Sequence, residues 1–413
     1  MGLVAGLDLD GSSVTAWVAD SDRPGSILAE VARPLFPLRP APHRVELDPA
    51  VWEQSCREAL RGAFVAAGRP GGDYLGLTVS TPRQGFVLLD GAGRVLGNGI
   101  LEGDRRGAAH MGVLAGTYRL TGHGPAPELA LPKLLAVRAE EPERWAATAR
   151  LLFLHDWLVW RMTGVQVTEV SYACAGGMAD VAARGWACCL LEECGIGASR
   201  LAPVVEAGTV VGELGDGWAL PGTLPVVAGC GDTQLAAMGA GGMGDGVVTV
   251  VAGSSTPVQA ATASPVHDPL GRAWVSTHAA RDRWAAEGEG EVNAGCPGTL
   301  SHAFAVRGNV EDLERALDRR AEAIVVCAGA AAGGQLPRLL AKVLGRDVHH
   351  ASGTNAAAAA GTVLVARAVG AHAHVPTLPP TVLPAGDRAP YDEPYARWHA
   401  AHDLRGVHRV STR

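Results

Sequence analysis

Residues 225–259 read PVVAGCGDTQLAAMGAGGMGDGVVTVVAGSSTPVQ, and the fold class turns on how this stretch is parsed. Leu224 to Ala228 is a short apolar run bounded by Gly229 and Gly231, the pattern of a buried strand ending in a tight turn. Asp232 follows at once, ahead of small residues from Thr233 to Ala240 that predict a helix with Asp232 at its N-cap. A second buried strand is predicted over Val247 to Val251, ending in Gly253-Ser254-Ser255. Two strand ends thus present one carboxylate and one loop of N–H groups and hydroxyls. A carboxylate can accept the proton of an attacking hydroxyl and such a loop can cradle phosphate, so the pattern suits phosphoryl transfer. It is equally the pattern of an Asp that only caps its helix.

At 413 residues the chain exceeds one ordinary core, and two domains are expected. Hydrophobic residues make up 47% and charged residues 19%, the balance of a soluble globular protein. A net charge of −7, with no basic stripe, argues against a nucleic-acid partner. The eight cysteines follow no metal-binding spacing and read as reduced, mostly buried thiols of a cytoplasmic protein. The N-terminus opens straight into a strand-like run, without a signal-peptide pattern, and no stretch has the length of a membrane-spanning helix.

Leu3 to Leu9 and Val14 to Ala19 are apolar runs joined by Asp10-Gly11-Ser12-Ser13. Such a turn exposes N–H groups that can hold phosphate or a hydrated metal ion, or it is an ordinary polar hairpin turn. Asp48 caps a predicted helix with Pro49 at its first position. Strands are predicted at Ile27 to Leu35, Tyr74 to Val79 and Phe86 to Leu89, with the polar loop Ser80 to Gly85 between the last two. The dense charges of Leu101 to Arg106 are either a solvated turn or a rim that hydrogen-bonds sugar hydroxyls. Helices are expected within Pro132 to Ala149, over Trp186 to Gly195, at Asp312 to Arg320, over Leu336 to Leu344 and over Ala356 to Val369. The Gly-rich Leu214 to Thr223 reads as the boundary between halves, giving domains 1–222 and 223–413. The strand–turn–strand theme recurs in both, a repeat of fold rather than of sequence. Ala323 to Cys327 reads as a buried strand, and the small residues 328–334 after it let a flat ligand approach the backbone or pack a helix closely. Tyr391, Tyr395 and Trp398 fall at helical spacing and predict a helix packed back on the body.

In this order the segments resemble the FGGY family of carbohydrate kinases, most of all its xylulokinase branch. Gly6 to Thr15 resembles its first phosphate loop, and Val45 to Pro49 with Trp52 its Glu-x-Asp-Pro segment. Leu88-Leu89-Asp90, then Asp104 and Arg106, resembles the Asp-x-Arg stretch; Leu131 to Leu134 and Leu158 to Gly164 resemble helical landmarks. Val227 to Asp232 resembles the segment carrying the catalytic base, and Ala328 to Leu344 the adenosine loop. The resemblance implies an α/β fold of two actin-like (ribonuclease-H-like) domains with a cleft between them. It implies transfer of the γ-phosphoryl group of ATP, with Mg2+, to a small-molecule sugar or polyol. By the same resemblance Asp232 is the base and Asp8 holds the metal. Asp10, Gly11, Ser12, Ser13, Gly253, Ser254 and Ser255 surround phosphate, and Ala328, Gly329 and Ala330 lie against adenosine. Gln84, Glu102, Asp104 and Arg106 line the sugar pocket. No nucleic acid and no membrane is expected as a partner, and a homodimer is the one assembly left open.

The chain departs from the family in several places. Asp10-Gly11 stands where Gly-Thr is usual, Thr15 where a basic residue is, Gln84 for a pocket His and Glu102 for a Trp. The segment Thr299 to Ile324 is far shorter than its counterpart, so part of the second domain's helical layer is expected to be missing. The alternative function is a catalytically inactive member of the fold that binds a small molecule or a protein partner. A nicotinamide dehydrogenase is disfavoured, since neither Gly-rich turn is Gly-x-Gly-x-x-Gly.

Overall fold

A computed structural model of the chain describes residues 2–69, 73–218, 220, 223–253, 256–288, 299–328, 335–351 and 355–401; Ser254, Ser255, Gly329 and Ala330 lie outside these, and of Ala328 only the backbone is described. Two sheets organise it. The first has six strands in the order Val210–Glu213, Pro225–Val227, Tyr74–Ser80, Leu3–Leu9, Ser13–Asp20 and Ile27–Pro34. The second has seven: Ala273–Thr277, Trp284–Gly288, Val258–Thr262, Val247–Ala252, Ala323–Ala328, Val348–Ala351 and Val382–Leu383. In each, the first strand of the half pairs antiparallel with the second and parallel with a later strand. The two sheets therefore share this central arrangement, as the recurring strand–turn–strand theme predicts, and differ at their edges.

The parallel strands are apolar along most of their length because both faces are covered. Val4, Ala5 and Leu7 are fully buried, as are Leu77 and Val79 beside them. Each such Val or Leu side chain stabilises the fold by about 1.5–3 kcal/mol. One face lies under the helix Pro49–Ala67, whose Trp52, Cys56, Ala59, Leu60 and Ala63 point inward at helical spacing. Asp48 caps it as expected, accepting from Ala50 N at 2.8 Å, and Gly68 closes it in the left-handed conformation, φ 62°. The other face lies under the Ala-rich helix Ala356–Ala368, which also packs on the helix Asp232–Gly239. Small residues permit that approach: a Cβ on Gly239 would sit 1.7 Å from the Ala356 carbonyl oxygen.

Three expectations change. Pro225–Val227 pairs in parallel with Leu77 and Thr78, so the first sheet continues past the expected break at 222/223. The charged helix expected at Asp312 to Arg320 is the end of a longer one, Leu300–Ala316, begun by a Thr299 cap and buried along Ala303, Phe304, Val306 and Val310. The helix expected over Trp186 to Gly195 is confined to Cys188–Glu193, because Gly185 and Trp186 pair with Ala179 and Asp180. The C-terminal helix Ala389–Ala401 does pack back, with Tyr395 edge-on to Phe304. No helix among the described residues is long and apolar enough to cross a membrane.

Candidate active site

Leu3–Leu9, Tyr74–Ser80 and Pro225–Val227 run parallel and end at one edge, the edge where open α/β sheets place ligands. Asp8 is the register partner of Ser80, whose hydroxyl donates to Asp8 Oδ1. One residue further on, Thr81 bridges Gly231, and Asp232 N donates to the Thr81 carbonyl at 3.2 Å. The turn before Asp232 must be glycine on steric grounds, since a Cβ on Gly229 would lie 1.8 Å from the Val79 oxygen. Three parallel strand ends therefore bring Asp8, the loop from Thr81 to Gln84, and Asp232 to one place.

A buried polar frame holds the Gly231–Asp232 turn from behind. The Tyr172 hydroxyl accepts from Thr81 N at 3.1 Å and donates to the Cys230 carbonyl at 2.8 Å. Gly231 N donates to Ser171 Oγ at 3.1 Å, and Ser171 Oγ donates in turn to Glu169. Asp232 is the first residue of its helix rather than the cap; Gly231 occupies the cap position, and among the described residues Asp232 Oδ1 accepts only from Thr233 N at 2.7 Å and the Thr233 hydroxyl. Its pKa rises to about 6. Burial is the main cause, opposed by Arg83 and by the Thr233 N–H, with Glu287 pushing up. A helix N-terminus alone predicts a lower value, but desolvation of a carboxylate outweighs the half-charge of a short helix.

Asp8 is raised further, to about 7, by burial and by Asp232, Asp10 and Glu30, against the Ser80 hydrogen bond. Both carboxylates remain partly exposed at the cleft floor. Glu102 joins them: burial and then Asp232 raise it to about 7, with Lys133 and Arg83 pulling down. Arg83 itself is committed, its two Nη atoms donating to Glu287 at 3.0 and 2.7 Å across the two sheets. Lys133, fully buried, donates to the carbonyls of Gln84, Leu101 and Glu102 at 3.0, 2.8 and 3.3 Å. Burial lowers its pKa to about 7.

A profile described as the FGGY family of carbohydrate kinases, N-terminal domain, matches residues 3–239. The chain belongs to the FGGY family. The xylulose kinase of Escherichia coli (strain K12) is 29% identical over 287 residues, 68% of this chain and 58% of that protein. The xylulose kinase of Bacillus subtilis (strain 168) is 29% identical over 291 residues, again 68% and 58%. The chain thus spans little more than half the length of these curated relatives. A xyloylose kinase from Brucella ovis superposes at TM-score 0.85 over 98% of this chain and 99% of that one, at 23% identity. The ligand-bound xylulose kinase from Lactobacillus acidophilus does so at 0.83, with 15% identity. The fold is the two-domain actin-like α/β fold.

Within this FGGY frame, the structure treats the expected residues unequally. Gln84 and Glu102 are partly exposed, and neither side chain is hydrogen-bonded among the described residues. Asp104 and Arg106, expected to line the sugar pocket, are instead buried in an ion-pair network of their own. Asp104 is fully buried, accepting from Val45 N at 2.7 Å and from Arg106 N and Nε at 3.0 and 2.8 Å. Arg106 also pairs with Glu46 at 2.6 Å and Glu141 at 3.2 Å. The pair staples residues 45–46 to the segment behind the rim, because a buried charge must be fully partnered. Gly253 and the backbone of Ala328 stand side by side at the carboxyl edge of the second sheet, following the Ala252–Ala328 pairing.

The first hairpin turn also differs. The Asp10 carboxylate accepts from Ser12 N and Ser13 N at 2.6 and 2.7 Å and from their hydroxyls at 2.7 and 3.0 Å. The donors expected to receive phosphate are filled by the turn's own side chain, leaving Gly11 open. The metal side fits better. Among the described residues no group of three or more His, Cys, Asp or Glu could cage an ion. Mg2+ commonly needs only one or two carboxylates with waters and substrate phosphates, and the half-buried Asp8 facing Asp232 matches that demand. A separate cavity of about 570 Å³, lined by Ala207, Met238, Met243, Leu364 and Arg367 among others, contains none of these residues. Arg83, Lys133, Glu287 and Tyr172 were not singled out as site residues. Lys133 lies inside a landmark segment and Arg83 in the polar loop beside Gln84, so both carry a local signal, whereas Glu287 and Tyr172 carry none.

Proposed function

We propose that this chain phosphorylates a hydroxyl of a sugar, polyol or cyclitol-like small molecule at the expense of ATP, with Asp232 as general base. The observation that carries this reading is that Asp8 and Asp232 stand at the ends of the two parallel strands that flank Tyr74–Ser80, both open to the cleft, in a chain of the FGGY family. A sugar hydroxyl is a weak nucleophile, and a carboxylate with a pKa near 6 is ionised at neutral pH yet basic enough to take its proton. Glu287 and burial set that basicity, and the Tyr172–Ser171–Glu169 frame fixes where the carboxylate stands. ATP would supply the phosphoryl group, and a magnesium ion held through Asp8 would offset its charge. The seven described cysteines are all free thiols, which suits a reducing compartment such as the cytoplasm.

One observation favours the second reading, a non-catalytic binding protein: Asp10 occupies the amides of Ser12 and Ser13. The two are separated by incubating the protein with ATP, Mg2+ and a panel of ketoses, polyols and cyclitols while following ADP release. Wild type should turn over at least one acceptor, and Asp232→Asn should lower kcat by roughly two to four orders of magnitude, the range of a lost general base. Acceptor binding by calorimetry without any ADP release would establish the second reading instead.

A further inference from the structure

The charges around the acceptor side of this cleft do not balance. Arg83 spends both Nη donors on Glu287, and Lys133 directs its ammonium to three backbone carbonyls. Neither side chain is hydrogen-bonded to the Glu102 carboxylate, which has no hydrogen bond among the described residues. Glu102 is partly exposed and reaches the first hairpin turn, where a Cβ on Gly11 would lie 3.6 Å from its Oε1. A second polar group, at the turn before Asp232, is also unused among the described residues. Gln234 is fully buried, neither of its amide atoms is hydrogen-bonded, and it stands with the Arg83 side chain against Gly231, where a Cβ would meet Gln234 Oε1 at 2.6 Å and Arg83 Cδ at 2.4 Å.

A desolvated carboxylate beside another carboxylate is costly unless a cation joins it. A neutral hydroxyl can donate to Glu102 but leaves the two negative charges opposed; an ammonium donates and offsets the charge together. We propose that the acceptor carries a cationic nitrogen, as in an amino sugar, amino polyol or aminocyclitol, and that Glu102 binds it. This rests on the kinase reading above for the site, and adds the chemical class of the acceptor. Burial and Asp232 hold Glu102 near neutrality when it is alone, and an ammonium beside it returns it to the ionised form.

The test uses matched pairs that differ by one nitrogen: glucosamine and glucose, 2-amino-1,3-propanediol and glycerol, an aminocyclitol and myo-inositol. Wild type and Glu102→Gln are compared for kcat/KM with ATP and Mg2+, and for acceptor binding by calorimetry. Wild type should prefer the amino member of a pair by about tenfold or more, the scale of one charge-assisted hydrogen bond. The variant should bring that ratio close to one. Phosphorylation without amine preference leaves the kinase reading standing and overturns this inference. Amine-selective binding lost in Glu102→Gln, without any phosphorylation, supports the inference and overturns the kinase reading. A preference that survives in the variant while its Mg2+ requirement rises makes Glu102 a metal contact and overturns the inference. Should the variant fail to fold, the wild-type ratio alone decides.

Discussion

Replacing Glu287 by Gln tests whether the Arg83–Glu287 pair both closes the cleft floor and tunes the base. The two residues are 204 positions apart, their side chains are 8% and 7% exposed, and the carboxylate takes two guanidinium hydrogen bonds. Gln keeps one acceptor and turns an NH2 toward a guanidinium N–H, so one bond is lost and Arg83 is left charged and poorly partnered. Breaking a buried pair from one side costs about 3–5 kcal/mol; the surviving acceptor puts the expected loss near the lower end, about 3 kcal/mol. For a cooperative unit of about 200 residues that is a fall in Tm of roughly 6–12 °C. The partnered change Arg83→Met with Glu287→Leu should recover most of it, because no buried charge remains. The same variant makes an electrostatic prediction of opposite kind. Glu287 pushes Asp232 up and Arg83 pulls it down, so removing the Glu287 charge should lower the Asp232 pKa below about 6. The acid limb of the pH–rate profile should move to lower pH. A Tm change under about 1 °C in thermal denaturation, or an acid limb that moves upward, would refute this account of the pair.

In wild type, the rate should rise with pH through about 6 as Asp232 ionises, and the stopped assay across pH 5–8 checks the limb. Asp8 is raised from 3.8 to about 7, so the folded chain holds a proton there that the unfolded chain has released; its contribution to stability is full below about pH 4 and is lost as pH rises through 7. Asp8→Asn, neutral throughout, should therefore melt above wild type at pH 8 without divalent metal, with the gap closing toward pH 4, and should lose any stabilisation by Mg2+. Tyr172→Phe removes the hydroxyl that joins Thr81 N to the Cys230 carbonyl. It should cost about 1–2 kcal/mol in chemical denaturation and lower kcat more than it raises KM, since it acts on the placement of Asp232 rather than on acceptor contacts; an unchanged kcat would count against that role.

Much of the frame was legible in the chain because it is local. Apolar runs closed by glycine marked the central strands, Asp48-Pro49 marked a helix start, and both Asp8 and Asp232 were recognised as carboxylates at strand ends. These depend on backbone propensity and on periodicity over a few residues. The fold family followed from the order of such motifs. What the sequence left open depends on partners far along the chain. Pro225–Val227 joins the first sheet through a strand nearly 150 residues earlier, so composition placed the break too soon. A run of charges looks the same whether solvated or buried, and only the pairing with Glu46, Glu141 and Val45 N turned Asp104 and Arg106 inward while leaving Glu102 at the cleft. Asp232 is poised near 6 rather than held low because desolvation is set by everything packed around it, including an ion pair from the other sheet, whereas the helix that begins at Asp232 is written in its own eight residues.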